Sequence, residues 1–176
     1  MKVKESVFTY ENLQEIPEGC EVVKGRLREL APTGGEHGFL EQKIARRADE
    51  KLESDGFVLV GEVGIVISKN PLTVRCADIV FLSRKRFPEP PKGLIESPPD
   101  LVVEIISPSN TFEEVEDKVS DYMNFGVGRI VLIDPGSRKV TVIDEDRKIS
   151  IRVFDEEVEI YPRVKIKLSE IIGGRK

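Results

Sequence analysis

Apolar residues between positions 36 and 54 recur at the spacing of one helical face. Residues 57–68 and 72–83 are instead rich in β-branched side chains, and turn residues at 69–71 separate these two runs. The pattern predicts a helix followed by two antiparallel strands. The apolar positions of the predicted helix are Phe39, Leu40, Ile44, Ala48 and Leu52.

A strand, a helix and a second strand are predicted for the middle of the chain. Residues 100–107 have apolar side chains on both faces, which is typical of a strand that is buried on both sides. Thr111 and Glu114 have the spacing of a capping box and begin a helix that we expect to run to residue 125. A short apolar strand over 129–134 follows, so the unit is expected to form a parallel crossover.

The remaining segments predict smaller elements around this core. Residues 6–18 have the pattern of a short helix, and residues 20–31 that of a β-hairpin with Gly25 in its turn. Further strands are expected after residue 138, with a short helix near 168–172. The core order is helix, three strands, helix, strand. It indicates one α/β domain over residues 1–176, with a mixed sheet and an additional N-terminal hairpin.

Acidic residues interrupt two of the predicted apolar strands. In the third strand, period-two alternation places Asp100 and Glu104 on one face. In the second strand, Asp78 is expected to share a face with Val80 and Leu82. A carboxylate inside a buried strand costs free energy unless it is paired, hydrogen-bonded or metal-bound. Glu104 and Asp78 are therefore candidate functional residues.

Lys118 has an unusual position in the predicted helix over 111–125. It lies three residues after Val115 and four before Tyr122, so it borders the apolar stripe of the helix and can point at the sheet. The alternative is an exposed ion pair with Glu114, one helical turn away. The predicted stripe consists of Phe112, Val115, Val119, Tyr122 and Met123.

An Asp, a Glu and a Lys that converge would suit hydrolysis of a phosphodiester bond. Mg²⁺ is typically held by one or two carboxylates together with phosphate oxygens and water. A neighbouring lysine can orient the attacking water or stabilise charge on the phosphate. The sequence contains no Gly-x-Ser-x-Gly motif and no Walker-type loop, so it does not indicate acyl transfer or a P-loop nucleotide site.

Net charge and cysteine spacing narrow the class of protein. The net charge is −5, whereas a strong nucleic-acid binder usually has an excess of basic residues. Cys20 and Cys76 lack the spacing of a zinc site and are interpreted as ordinary small residues of a cytosolic protein. No apolar run approaches the about 20 residues that a membrane helix needs, and residues 1–5 do not begin a signal peptide. We expect a cytoplasmic protein with no membrane partner.

The order and spacing of several motifs resemble the Uma family, a bacterial branch of the PD-(D/E)XK nuclease superfamily with a restriction endonuclease-like fold. The strongest match is Pro99-Asp100-Leu-Val-Val-Glu104-Ile-Ile-Ser-Pro108-Ser109. Ala77-Asp78-Ile-Val-Phe-Leu82 resembles the strand of the family's first catalytic Asp, although the family usually has Pro where Ala77 stands. The resemblance covers nearly the whole chain and also rests on Glu21 to Leu27, Glu36-His37, Lys118 with Tyr122, Gly126-Val127 and Asp134-Pro135.

The resemblance implies an endonuclease that depends on Mg²⁺ or Mn²⁺ and acts on DNA. It implies Asp78 and Glu104 as metal ligands, with the Ile105 carbonyl as an additional ligand. In the superfamily pattern the lysine stands two residues after the acid, and here that position is Ile106. The resemblance therefore implies that Lys118 supplies the ammonium group from the helix, to activate water or to stabilise charge.

The same resemblance suggests four further residues that could support the site. Glu21 is a further acid on the hairpin, or alternatively an exposed hairpin charge. His37 is interpreted as a residue that bonds locally at the start of its helix, or as a contact to a substrate phosphate. Asp100 is expected to cap or orient the start of its strand. Tyr122 is expected to pack, with its hydroxyl on the rim of the site.

Two other functions remain open from the sequence. One is a non-catalytic binding or structural module that keeps the nuclease fold. The negative net charge favours this alternative. The other is a metal-dependent hydrolase of a small phosphorylated substrate, for which a closed pocket is expected. An open groove with the basic residues 84–86 at its edge would favour DNA instead. Cutting of both DNA strands implies two active sites and hence a homodimer.

Overall fold

The computed structural model describes residues 7–173, which form one large sheet, a small sheet and flanking helices. The predictions for residues 1–5 and for the first residue of the expected N-terminal helix lie outside this range. The elements are a 3₁₀ helix (Tyr10–Glu15), β1 (Cys20–Val23), β2 (Arg26–Glu29), α1 (Gly35–Leu52), β3 (Gly56–Lys69), β4 (Leu72–Ser83), β5 (Leu101–Ile105), α2 (Phe112–Phe125), β6 (Ile130–Asp134), β7 (Lys139–Ile143), β8 (Ile149–Val153), β9 (Val158–Tyr161), β10 (Val164–Ile166) and α3 (Leu168–Ile171).

The large sheet is mixed, and its order is β2-β1-β4-β5-β6-β7-β8, with β3 paired to β4. The long β3 and β4 are antiparallel, as predicted, and β5 pairs with β6 in parallel. The strand–helix–strand connection through α2 thus forms the expected crossover. All five residues of β5 are buried, because the strand lies between β4 and β6 with helices packed over the sheet. The predicted mixed α/β fold is confirmed.

Helix α1 covers one face of the sheet. Leu40, Ile44, Ala48 and Leu52 are buried in the larger core, together with side chains of β4, β5 and β6 from that face. Phe39 is the exception, because 43% of its surface is exposed. The hairpin β9–β10 and α3 complete the same core. Burial of this apolar surface is the main source of stability for such a layered fold.

Helix α2 covers the opposite face, and its ends have the predicted capping chemistry. The Thr111 hydroxyl accepts from the Glu114 N–H, the Glu114 carboxylate accepts from the Thr111 N–H, and Gly126 adopts a left-handed conformation at φ 94°. The predicted apolar stripe is wrong at Phe112, whose side chain is 78% exposed because it precedes the part of the helix that meets the sheet. Tyr122 is fully buried.

The regular alternation predicted around Asp78 does not hold. Ala77 and Val80 pack in the same core cluster although they are three residues apart. The register of the facing strand β3 shifts between Val60 and Val63, opposite this segment. Such an irregularity re-aims side chains within a strand. Asp78 consequently does not follow the face of Val80 and Leu82, and its carboxylate contacts α1 and β5 instead.

No helix within residues 7–173 is long and apolar enough to cross a membrane.

Candidate active site

A cleft of about 620 Å³ lies where β4 and β5 separate, between the N-terminus of α1 and the N-terminal half of α2. Its walls come from the end of β2 and the segment after it, the start of α1, Glu62 of β3, the middle of β4, the end of β5, the 107–110 loop and α2. Five of the predicted site residues line it, namely Ile105 of β5 and four residues with titratable side chains. The four are His37, Asp78, Glu104 and Lys118.

Glu104 is the most buried acid of the cleft, with 9% of its surface exposed. Its Oε2 lies 2.8 Å from the Lys118 Nζ, and its Oε1 accepts a 2.6 Å hydrogen bond from the Tyr122 hydroxyl. Burial raises the pKa of Glu104 to about 7, against the opposing influence of the Lys118 charge and of these two hydrogen bonds. The Asp78 charge raises it further.

Lys118 points from α2 into the sheet, where three oxygen atoms surround its ammonium group. Nζ donates to the Cys76 carbonyl at 2.7 Å and to Glu104 Oε2 at 2.8 Å, and Glu21 Oε1 lies 3.3 Å away. Burial by itself would lower the pKa of Lys118, but the Glu104 and Glu21 carboxylates outweigh it and hold the pKa above its ordinary value. The alternative of an exposed pair with Glu114 is wrong, because Glu114 instead caps α2 and contacts Arg28.

Glu21 is buried, so the alternative of an exposed hairpin charge is wrong. Its Oε1 accepts a 2.9 Å hydrogen bond from the Cys76 N–H, and its Oε2 lies 3.1 Å from Arg75 Nη1. Arg75 is equally buried and also contacts Asp121 of α2 at 2.7 Å. The result is a continuous ionic network from Asp121 through Arg75, Glu21 and Lys118 to Glu104.

Asp78 lies on the other side of the cleft. Its Oδ2 accepts a 2.6 Å hydrogen bond from the Ile105 N–H, and its Oδ1 lies 3.0 Å from His37 Nε2. The hydrogen bond to Asp78 raises the pKa of His37, while partial burial of the ring opposes this rise. The bond to Ile105 joins β4 and β5 through a side chain beyond the last backbone pair, Ile79 with Val103.

The donor set of the cleft fits a hard cation that keeps part of its water shell. Within residues 7–173 no group of three or more His, Cys, Asp and Glu side chains is arranged to enclose a metal. Asp78 and Glu104 provide two carboxylates on one cleft, beside the backbone of Ile105. Mg²⁺ commonly uses one or two carboxylates and completes its shell with water and phosphate oxygens. A closed structural metal site, by contrast, does not fit these residues.

Asp100 is not part of this cleft. Its Oδ2 accepts a 2.8 Å hydrogen bond from the Ser83 N–H, and its Oδ1 lies 3.6 Å from Arg86 Nε. Asp100 therefore links the residue before β5 to the end of β4, four residues along the chain from Glu104. Two residues of the basic run 84–86 are already engaged, Arg86 here and Arg84 over the Phe57 ring.

Comparisons with known proteins agree with this architecture. A family model matches residues 9–169, and its description is "Uma2: Putative restriction endonuclease". The chain belongs to the Uma2 family. The predicted family resemblance is thereby confirmed. No curated protein matches the chain by sequence.

A solved structure shares the fold of this Uma2 protein. It is described as a "putative nuclease belonging to DUF820" from Anabaena variabilis, and it superposes with a TM-score of 0.78 at 17% sequence identity. The match covers 93% of this chain and 97% of that one. This Uma2 chain thus shares its fold with that protein over nearly its whole length.

Sequence reasoning overlooked Arg75, the buried cation that pairs with Glu21 inside the protein. Its signal was present, because Arg75 lies in the apolar strand β4, where an arginine is as exceptional as an aspartate. Arg28 at the cleft wall was also overlooked, and nothing in the alternating hairpin sequence distinguishes it from a solvated charge. Cys76 contributes through its backbone, and burial raises the pKa of its thiol to about 12.

Proposed function

We propose that this Uma2 protein is a divalent-metal-dependent endonuclease that hydrolyses phosphodiester bonds of DNA, with Mg²⁺ or Mn²⁺ as the metal. One observation carries the proposal, namely that the carboxylates of Asp78 and Glu104 border one cleft in which Lys118 Nζ lies 2.8 Å from Glu104. Family membership supports the reaction class, because the description of the family model is "Putative restriction endonuclease".

Asp78 and Glu104 would hold the cation, and the Ile105 carbonyl is the proposed additional ligand. A divalent cation bound there would polarise a phosphate oxygen and neutralise charge that develops during hydrolysis. Asp78 is held in place by the Ile105 N–H and His37, and Glu104 is held by Lys118 and Tyr122. Such prior orientation lowers the reorganisation needed when the substrate binds.

Lys118 is proposed to act as a cation and hydrogen-bond donor rather than as a base. Glu104 and Glu21 hold its pKa above the ordinary value for lysine, so the ammonium form persists at neutral pH. An ammonium group can orient a water molecule and stabilise a phosphate oxygen, but it has no lone pair with which to accept a proton.

The walls of the cleft support a polymeric substrate over a small one. The cleft is open to solvent rather than enclosed, and the segment after β2 and the 107–110 loop form part of its walls, so a section of a longer strand can enter it. Arg28 and the hydroxyls of Ser107 and Ser109 lie on these walls and are suitable for phosphate contacts. Such contacts position nucleic acid without reading its sequence.

The experiment is a cleavage assay on supercoiled and linear DNA with purified protein. We expect cleavage with Mg²⁺ or Mn²⁺, none with EDTA, and none in Asp78→Asn or Glu104→Gln. Asp100→Asn is the matched control, because it makes the same chemical change at the other end of β5 and outside the cleft. That variant should cut like the wild type. Metal-dependent cleavage that survives in both Glu104→Gln and Lys118→Ala would overturn the assignment.

A catalytically silent module with the nuclease fold is the second candidate. The observation that favours it is the internal pairing of the site, because each carboxylate oxygen of Asp78 and Glu104 already has a protein partner. A structural ion-pair network would look the same. The two candidates differ in one respect, since a silent module binds no divalent cation at millimolar concentration and cleaves no DNA with any metal.

The organisation of the whole molecule is also part of the proposal. We propose that residues 1–176 act as one domain and that cutting of both DNA strands uses a homodimer, since each cleft holds a single set of Asp78, Glu104 and Lys118. Sedimentation velocity of the purified chain tests the dimer. A monomer that cuts both strands at one position would contradict it. The cytoplasmic location stays a prediction.

A further inference from the structure

The last strand of the large sheet, β8, presents an uncovered apolar row. Ile149, Ile151 and Val153 are 64%, 56% and 48% exposed, and all three lie on the same face. They follow one another at period two, so they form a continuous apolar strip along the strand. An exposed apolar edge of this kind marks a surface that pairs with another chain.

The backbone of the same three residues also faces outwards. The Asp144 N–H bonds to the Lys148 carbonyl and the Phe154 N–H to the Arg138 carbonyl, so the even-numbered residues of β8 bond to β7. The odd-numbered residues therefore direct their N–H and C=O groups away from the sheet. Two of these groups have local partners, since Glu156 accepts from the Val153 N–H and Arg152 donates to the Ile151 carbonyl.

We propose that β8 pairs antiparallel with β8 of a second copy of this chain, around a two-fold axis at Ile151. Ile151 then lies opposite Ile151 of the partner subunit, and Ile149 lies opposite Val153 of the partner subunit. The two apolar strips merge into one, and the outward N–H and C=O groups gain backbone partners. An interface of this kind is self-complementary, as a two-fold dimer requires.

Charge selects this register over its neighbours. Centred at Ile151, the pairing sets Arg152 opposite Ser150 of the partner subunit, so that no like charges oppose each other within β8. A shift by two residues in one direction opposes Arg152 to its own copy. A shift in the other direction opposes Lys148 to Arg152 of the partner subunit. Like charges directly opposite each other destabilise a strand pair.

Sedimentation velocity over a range of protein concentrations tests the surface. The wild type is expected to be a dimer and Ile151→Lys a monomer, because the substitution places two ammonium groups at the two-fold axis. Val60→Lys is the matched control, since Val60 is 53% exposed on β3, away from β8, and this variant should remain a dimer. Circular dichroism checks that each variant is folded. A monomeric wild type, or a dimer that persists in folded Ile151→Lys, overturns the proposal.

Cysteine cross-linking tests the register with changes that are smaller than a new charge. Under mild oxidation with oxidised glutathione, Ile151→Cys should form a covalent dimer that is visible on a non-reducing gel. The two introduced thiols become one disulfide, and glutathione takes up their two electrons and two protons. Ile149→Cys alone should not form a covalent dimer, whereas the double variant Ile149→Cys/Val153→Cys should. Wild-type protein, with Cys20 and Cys76, sets the background. Stronger cross-linking of Ile149→Cys than of Ile151→Cys overturns the register.

Discussion

The two acids of the cleft are supported in different ways. Glu104, on the side of α2, is buried and accepts hydrogen bonds from Lys118 and Tyr122. The neighbouring Glu21–Arg75 pair is buried as well. Asp78, on the side of α1, is held by a single backbone N–H and by His37, which is partly exposed. The α2 side is therefore a low-dielectric network in which Glu21, Arg75 and Tyr122 are almost fully buried. On the α1 side there is one pair, and both of its side chains keep part of their surface exposed.

This difference determines how strongly the charge of each acid is coupled to the neighbouring residues. A charge in a low-dielectric network is strongly coupled to its partners, so that removal of one partner changes the state of the others. A charge near solvent is screened, so removal of its partner has a small effect. We therefore expect the loss of a partner of Glu104 on the α2 side to cost more than the loss of a partner of Asp78 on the α1 side.

Removal of Lys118 should have the largest effect. Lys118→Met leaves Glu104 and Glu21 buried without their shared cation, so we expect a loss of about 3–5 kcal/mol in unfolding free energy and of roughly 100-fold or more in any nuclease activity. Urea denaturation and the cleavage assay measure the two losses. Lys69→Met is the control, because it breaks an exposed 2.7 Å pair with Glu96 and should cost below about 1 kcal/mol. Equal losses in the two variants would contradict this expectation.

The affinity for a divalent cation should depend on pH through Glu104. Because the pKa of Glu104 is raised to about 7, protons compete with the cation below that pH, and affinity should fall roughly tenfold per pH unit there. In the protein without metal, the effect of Glu104 on the free energy of unfolding has the opposite pH dependence. The raised pKa favours the protonated form on folding, so this stabilising contribution is present below the ordinary pKa of 4.5 and is lost as the pH rises through about 7.

Calorimetric titrations with Mg²⁺ from pH 6 to pH 8 measure the first effect, and urea denaturation over pH 4 to 8 without metal measures the second. Glu104→Gln cannot ionise at this position and should lose both. An affinity that does not change between pH 6 and 8 in the wild type would show that Glu104 is already ionised throughout and would contradict the low-dielectric account.

Loss of the Tyr122 hydroxyl should have an intermediate effect. Tyr122→Phe removes the 2.6 Å hydrogen bond to Glu104 Oε1, so we expect about 2 kcal/mol less stability and a higher pKa for Glu104. The same measurements apply. Tyr10→Phe is matched, since the Tyr10 hydroxyl donates to Glu96 at 2.7 Å on an exposed surface, and its removal should have little effect. If Tyr10→Phe costs as much as Tyr122→Phe, burial is not what makes the bond important.

The smallest effect is expected on the α1 side. His37→Ala removes one contact of Asp78 but leaves the Ile105 N–H in place, so we expect a stability change below about 1 kcal/mol and a metal affinity that still changes near pH 7. Thermal unfolding and the pH series of metal titrations measure this. A collapse of metal binding in His37→Ala as complete as in Glu104→Gln would show that both sides are equally coupled.

Much of the architecture follows from local patterns. Helix α1, the β3–β4 pair and the β5–α2–β6 crossover were predicted because their apolar periods and caps are strong and local. Period-two alternation predicts the face of β5 that carries Glu104, and the structure shows that this face meets α2. Phe112 and Phe39 were assigned to apolar faces by spacing, but spacing does not tell where a helix leaves the sheet.

The rest depends on contacts between distant segments. The orientation of Asp78 follows from an irregular pairing between β3 and β4, which no local period records. The Glu21–Arg75 pair joins β1 to β4, 54 residues apart in sequence, and only the closed sheet brings the two side chains together. The edge position of β8 is likewise a property of the sheet order, although its apolar alternation is visible in the sequence.

Calorimetric titration of Mg²⁺ and Mn²⁺ into wild type, Glu104→Gln and Asp100→Asn at pH 8 tests the central claim most directly. We expect one cation to bind the wild type and Asp100→Asn with similar affinity and not to bind Glu104→Gln, because Glu104 lies in the cleft with Asp78 and Asp100 does not. Absence of binding to the wild type, or equal binding to all three proteins, would contradict the claim that Asp78 and Glu104 form a metal site.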